Sequence, residues 1–304
     1  IQTSLFKIHE LMASAEICRQ DFAYFAQNIE LIHAEISILL EVISPFSLED
    51  FSSIYANQLQ SVPENLKSFV KAGLCKTGMN FFAGIGVALS KSAVDPVMVH
   101  SKGCYYELAE LLDCNKKNAD NLPAKNVDLY CCQPNPGVDI SGQHTHYAPH
   151  DYMGDIYKIL ESKTQTTPLT VVVDCTIDYL NSPKVQVLLT EFEKEIKSGK
   201  LNFIFFRSGQ KFDMLGMDNY YGAPFYMVNN RSSHWKAFDL LFNDEALKPD
   251  TLSAQWFCLA NFLSAHELDN YRCLVFENTK TILNQVPDVL KPGAKKNQRV
   301  RVNT

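Results

Sequence analysis

"FIFFRSGQKFDMLGMDNYYG", residues 203–222, decides how this chain is read. Phe203 to Phe206 form an unbroken run of apolar and aromatic residues, the pattern of a strand buried on both faces. The run stops at Arg207, and Lys211 follows after Ser208 and Gly209. Acids and further glycines come next. A lysine in a small-residue turn just past a buried strand is either a solvated loop residue or an amine that a rigid sheet presents to a ligand. The segments on either side decide between these readings.

Working outward, "LTVVVD" (169–174), "VDLYCC" (127–132), "PVMVH" (96–100), "NFIFF" (202–206) and "PFYMVN" (224–229) all read as strands. Helical patterns separate them. "PKVQVLLTEFEKEIKSGK" (183–200) reads as one helix, with Ser182 as cap, Pro183 in its first turn and Gly199 as stop. Apolar strands joined by helices predict an α/β fold, a mostly parallel sheet covered by helices on both faces. Residues 4–43 carry apolar residues at helical spacing and predict one long helix or two, ending near Ser44-Pro45. "SLEDFSSIYANQL" (47–59) predicts another, capped by Ser47 with Asp50 closing the box. The expected organisation is an N-terminal helical segment (1–65), a central α/β domain that would bind a cofactor (66–230) and a short, mainly helical C-terminal segment (231–304).

Bulk properties exclude some function classes. Of 304 residues, 46% are apolar and 20% charged, with a formal net charge of −6. That balance argues against a nucleic-acid partner, which wants a basic face. "GMNFFAGIGVAL" (78–89) is too short to span a membrane, which takes about 20 residues. The start "IQTSLFKIHE" has no apolar signal core, so a cytoplasmic location is expected. Nine cysteines without a CxxC pair read as reduced thiols, and Cys131-Cys132 as buried packing.

Ligands in open α/β sheets bind beyond the carboxyl ends of the strands. Just past those ends stand Asp174; Ser208 and Lys211; Tyr105 and Tyr106; and Pro134, Asn135 and Pro136. Ahead of the strand at 96–100, "KTGMNFFAGIG" (76–86) is a small-residue turn opening a helix at Thr77-Gly78. Pyridoxal phosphate requires each member of this set. Its aldehyde takes a lysine amine as a Schiff base. A carboxylate keeps its pyridine nitrogen protonated as an electron sink. Its ring stacks on a flat side chain. Its phosphate sits on backbone N–H groups at a helix start.

In order and local spelling, residues 70–230 resemble the fold-type I pyridoxal-phosphate enzymes, the aspartate aminotransferase-like superfamily, nearest the cysteine/methionine-metabolism branch. "TGMNFFAGIGVAL" (77–89) is similar to that branch's phosphate turn "SGMAAI", which implies Thr77, Gly78 and Met79 as phosphate-binding residues. "VMVHSKGCYYE" (97–107) puts Tyr105 where the family has its ring-stacking tyrosine. "VVVDCT" (171–176) resembles "VVDNT", which implies Asp174 as the partner of the pyridine nitrogen and Thr176 beside it. "SGQKFDMLGMDNYYGA" (208–223) resembles "SxTKYxxGHSDxxGG", which implies Ser208 on the phosphate, Lys211 as the Schiff-base residue and Asp218 as the aspartate seven positions on. The resemblance implies an enzyme of amino-acid metabolism, a lyase or transferase, working as a homodimer with an amino-acid substrate. Catalytic roles fall to Lys211, Asp174 and Tyr105.

The chain departs from the pattern in three ways. Gln210 replaces the threonine before the lysine, a full helix separates Asp174 from Lys211, and 93 residues follow Lys211 where the family has a longer substrate domain. Arg272, Arg299 and Arg301 are carboxylate-binding candidates by position. These departures keep a second reading open, a catalytically inactive protein of this fold acting as a binding or scaffold protein. A third reading rests on "GQHTHYAPHDYMGD" (142–155): His144, His146, His150, Asp151 and Asp155 are ligand types for a metal-dependent hydrolase. Under the leading reading they hold no metal.

Overall fold

The computed structural model describes residues 1–17, 20–43, 48–101, 104–105, 125–134, 151–164, 167–176, 182–209, 222–263, 270, 273–275, 277–278, 281–282 and 284–287. Six strands form one sheet: β1 (Val70–Cys75), β2 (Met98–His100), β3 (Leu129–Cys132), β4 (Leu169–Asp174), β5 (Leu201–Phe206) and β6 (Ala223–Val228). Their order is β1-β6-β5-β4-β3-β2. β2 to β5 pair in parallel, while β6 runs antiparallel to both β5 and β1. β4 and β5 are buried at every position, as their predominantly apolar sequences favour, with Thr170, Asp174 and Asn202 the polar residues among them.

Helices cover both faces. On one pack α3 (Leu48–Gln58), α5 (Tyr152–Ser162), α6 (Pro183–Glu191), α7 (Glu193–Lys197) and α9 (Thr251–Leu263), through Phe51, Ile156, Leu188, Ile196 and Phe257. On the other pack α4 (Gly78–Ser92), a 3-10 turn (Ser233–Asp239) and α8 (Leu240–Asn243), through Phe81, Phe82, Ile85, Phe238 and Leu241. Gly84 lets α4 and α8 approach: a Cβ there would lie 2.6 Å from a Leu241 methyl carbon. α1 (Gln2–Ile17) and α2 (Phe22–Ile43) form an N-terminal hairpin, and the Trp256 indole N–H reaches back to the Ser37 hydroxyl at 2.9 Å.

Three local expectations change. The helix expected across 183–200 is two, α6 and α7, broken at the fully buried Phe192. Phe192 takes φ −100° and ψ 19° and packs on Tyr157 and Phe203. Ser182 starts α6 without a side-chain capping bond, and its buried hydroxyl has no partner among the described residues. β1 was not foreseen; its lysine and glycine break the apolar run. Ser47 lies outside the described residues. No described helix is long and apolar enough to cross a membrane.

Candidate functional site

The carboxyl ends of β1 to β5 share one edge of the sheet, and the site is built there. β4 ends at Asp174, which is 6% exposed. Its carboxylate accepts the Thr176 backbone N–H at 2.8 Å. The Thr176 side chain also hydrogen-bonds it. The same Thr176 hydroxyl oxygen accepts the Ser208 backbone N–H at 3.0 Å. A hydrogen-bonded chain thus runs from Ser208, just past β5, through Thr176 to Asp174. Burial pushes the Asp174 carboxyl above its ordinary range, and the Thr176 bonds pull partly against that.

The start of α4 closes on the same point. Thr77 has extended backbone and caps the helix, its hydroxyl accepting the Asn80 N–H at 3.0 Å. A helix start of this kind can receive an anion on its remaining first-turn N–H groups. Gly78 lies against the turn after β5: a Cβ on it would sit 3.6 Å from the Phe206 ring and 3.9 Å from the Ser208 Cβ. Met79 packs beneath, in the core of the α4 face. Thr77, Gly78, Thr176, Ser208 and Asp174, distant in sequence, therefore gather at one edge. Tyr105 follows β2 and is 41% exposed.

Lys211 and Gln210 lie outside the described residues, as do Tyr106, Asn135, Pro136, Asp218, Arg272, Arg299 and Arg301. The residues flanking 210–221 are described. Gly209 N–H donates to Gly222 O at 2.7 Å, tying these two described residues together. The Phe257 ring of α9 lies against both glycines, and a Cβ on Gly209 would stand 2.6 Å from that Gly222 oxygen. Only glycine fits there, so the "SG" before the lysine has a structural cause.

The histidine stretch divides. His144, His146 and His150 lie outside the described residues. Asp151 caps α5 through the Gly154 N–H at 2.9 Å. Asp155 is buried and accepts the Tyr130 hydroxyl at 2.7 Å. Among the described residues no cluster of three or more His, Cys, Asp or Glu could hold a metal. Cys132 is fully buried near Asp155 and Asp174; burial first, then those two charges, holds its thiol well above its ordinary range. Cys131 is likewise buried, and the described cysteines are free thiols.

The sequence reading missed Gln133, which directly follows β3 and is 7% exposed. Its Oε1 has no hydrogen-bond partner among the described residues. The available signal was a lone amide between the apolar "YCC" and Pro134.

With the geometry established, comparisons with known proteins add the fold. No family model and no curated protein matches the chain. Solved structures do. An aromatic-amino-acid aminotransferase from Burkholderia pseudomallei, covalently bound to pyridoxal phosphate, superposes with a TM-score of 0.51 at 9% identity, over 82% of this chain and 68% of that one. An aromatic amino acid aminotransferase solved with 3-indolebutyric acid gives 0.52 at 11% identity, over 82% and 68%. The fold is that of the fold-type I aminotransferases. In that fold-type I frame, the edge holding Asp174, Thr176, Ser208 and Thr77 is the carboxyl edge of the large sheet, where α/β ligands bind.

Proposed function

We propose that the chain is a pyridoxal-phosphate-dependent enzyme acting on an amino acid, of lyase or transferase type, with Lys211 as the covalent lysine. The observation that carries this reading is the hydrogen-bonded chain from Ser208 through Thr176 to the buried Asp174, beside the capped start of α4. The residues suit the cofactor. A helix N-terminus and Ser208 answer its phosphate, and a buried carboxylate answers its ring nitrogen. When bound, pyridoxal phosphate supplies an electron sink conjugated to the substrate Cα.

The chain's own residues do the rest. Asp174 holds a proton at the ring nitrogen; a cationic partner in that spot would offset the burial that now raises its carboxyl. Thr176 fixes the carboxylate's orientation through two hydrogen bonds. The Thr77 cap and Ser208 receive the phosphate. Lys211, two residues past Gly209, whose N–H is bonded to the Gly222 oxygen, is the acid/base that moves the Cα proton. Tyr105 stacks on the ring face. We assign the cofactor to the 66–230 domain and propose a cytoplasmic homodimer.

The deciding experiment is borohydride reduction of the protein loaded with pyridoxal phosphate, followed by peptide mapping. The cofactor is expected on the peptide that carries Lys211, and Lys211→Ala should lose both colour and adduct. Attachment at another lysine refutes the assignment. Attachment at Lys211 without turnover of any amino acid favours the binding-protein reading.

A further inference from the structure

We propose that the chain has a second ligand site, at the sheet edge opposite Asp174, which takes a small organic acid, a carboxylate or a phosphate ester. The site is a cavity of about 440 Å³. Segments distant in sequence wall it: the carboxyl end of α4, the residues that lead into β3 and β4, and the 3-10 turn at Ser233–Asp239. Small-molecule clefts typically measure about 300–1,000 Å³. The cofactor reading does not use this one. α4 has 15 residues, so about 22 Å separates its start at the cofactor edge from its end here.

Charge selects the ligand. Lys91, His234 and Lys236 line the cavity, and no ion pair among the described residues uses them. The chain as a whole has a net charge of −6, so basic groups that share one cavity without acidic partners set a local field of the opposite sign. One acid lines the wall, Asp128, and its charge is already met. Its carboxylate accepts the Val97 N–H at 3.0 Å, the Thr167 hydroxyl at 3.3 Å and the Lys163 ammonium at 3.3 Å. The Lys163 and Asp128 side chains are 6% and 11% exposed, which fixes the pair within the wall. The negative end of α4 is offset as well. Lys91 lies in its last turn, and the Ser92 hydroxyl and the Ala93 N–H both donate to the Leu89 carbonyl.

The rest of the lining suits the body of such an acid. Thr170 and Ser233 add hydroxyls. Leu89, Trp235 and Phe238 form an apolar floor and belong to the packed core of the α4 face, so the floor is rigid. The Trp235 N–H is already used by the Asn230 side-chain oxygen at 3.0 Å. An acid is therefore held by its charge, at the two lysines, and by apolar contact below them. The ammonium groups exclude a metal cation from the same place.

The test titrates the protein with 4-nitrobenzoate, with 4-nitrophenyl phosphate and with the neutral 4-nitrobenzamide, following tryptophan fluorescence. Trp235 and Trp256 are the two tryptophans, and Trp256 packs on the other face of the sheet. Saturable quenching by an acid should persist in Trp256→Phe, which keeps Trp235 alone. The amide should bind at least about tenfold more weakly than the tighter acid, and that acid names the group, carboxylate or phosphate. Lys91 and Lys236 are exposed, so Lys91→Glu and Lys236→Glu should melt near the native temperature. Each should weaken binding of the acid at least about tenfold. Ser208→Ala, at the cofactor edge, should bind it as the native protein does. Native affinity after both charge reversals overturns the proposal. So does an amide that binds as tightly as the acids, quenching that vanishes in a folded Trp256→Phe, or binding lost in Ser208→Ala.

Discussion

Asp174→Asn should make the cofactor-free protein more stable at neutral pH while crippling its chemistry. The native carboxylate ends a central, fully buried strand and has hydrogen bonds from Thr176. Burial raises its pKa, so the folded protein takes up a proton more readily than the unfolded chain. Stability from this group is therefore greatest in acid. It falls as pH rises from the ordinary aspartate range, about 3.9, through the elevated folded value, and stays low above it. Asparagine has no charge to desolvate, and its oxygen still accepts the Thr176 N–H. Against this, its NH2 group is left without an assigned partner. Leaving a buried polar group unmet costs about 1–3 kcal/mol, and more for a charge, so the net gain at pH 7.5 should be about 1–2 kcal/mol. That corresponds to roughly 2–4 °C per kcal/mol in melting temperature. The assay is thermal unfolding without cofactor at pH 7.5 and at pH 4.5. The gain should shrink or vanish at the lower pH as the native carboxyl protonates. With cofactor, exchange of the substrate Cα proton should drop by orders of magnitude. An equal loss of stability at both pH values would refute the reasoning, because it would mean a cation within the fold pairs the carboxylate.

Two further outcomes follow from the geometry. Gly209→Ala puts a methyl group against the Phe257 ring and 2.6 Å from the Gly222 carbonyl oxygen. It should destabilise by at least about 1–3 kcal/mol and weaken cofactor retention, read by melting temperature and dialysis; an unchanged melting temperature with native retention would show that the Gly209–Gly222 contact is pliable. Tyr130→Phe removes the hydroxyl that donates to the buried Asp155 at 2.7 Å. A loss of about 1–3 kcal/mol in denaturant unfolding is expected, and a neutral result would show that Asp155 has another donor.

The apolar runs Val171–Val173 and Phe203–Phe206 determine by themselves that two strands are buried on both faces, since no polar residue interrupts them to meet water. Parallel pairing of β2 to β5 follows, because intervening helical patterns leave no room for hairpins. The helix start at Thr77-Gly78 was legible for a similar local reason, the small-residue turn; the structure adds that the Thr77 hydroxyl caps it by accepting the Asn80 N–H. Asp174 and Ser208 could be nominated from position past their strands, and Thr176 from the family resemblance, but they could not be joined. The bond between Ser208 and Thr176 spans 32 residues and exists because β4 and β5 pair in one register, with Asp174 opposite Phe206.

Long-range packing decided the remainder. β1 has a lysine and a glycine in its sequence and becomes a strand because β6 offers it an antiparallel partner, Gly73 opposite Phe225. The helix after Ser182 breaks because Phe192 is drawn into the core against Tyr157 and Phe203, contacts that local helical periodicity does not encode. Gln133 stayed hidden because its setting is relational: that it is buried, and that β3 lies beside the strand ending in Asp174, is known only once the sheet is assembled. Sequence fixes each residue's chemistry and its local periodicity, whereas register across the sheet and access to water are sums over partners far along the chain. They belong to the folded molecule alone.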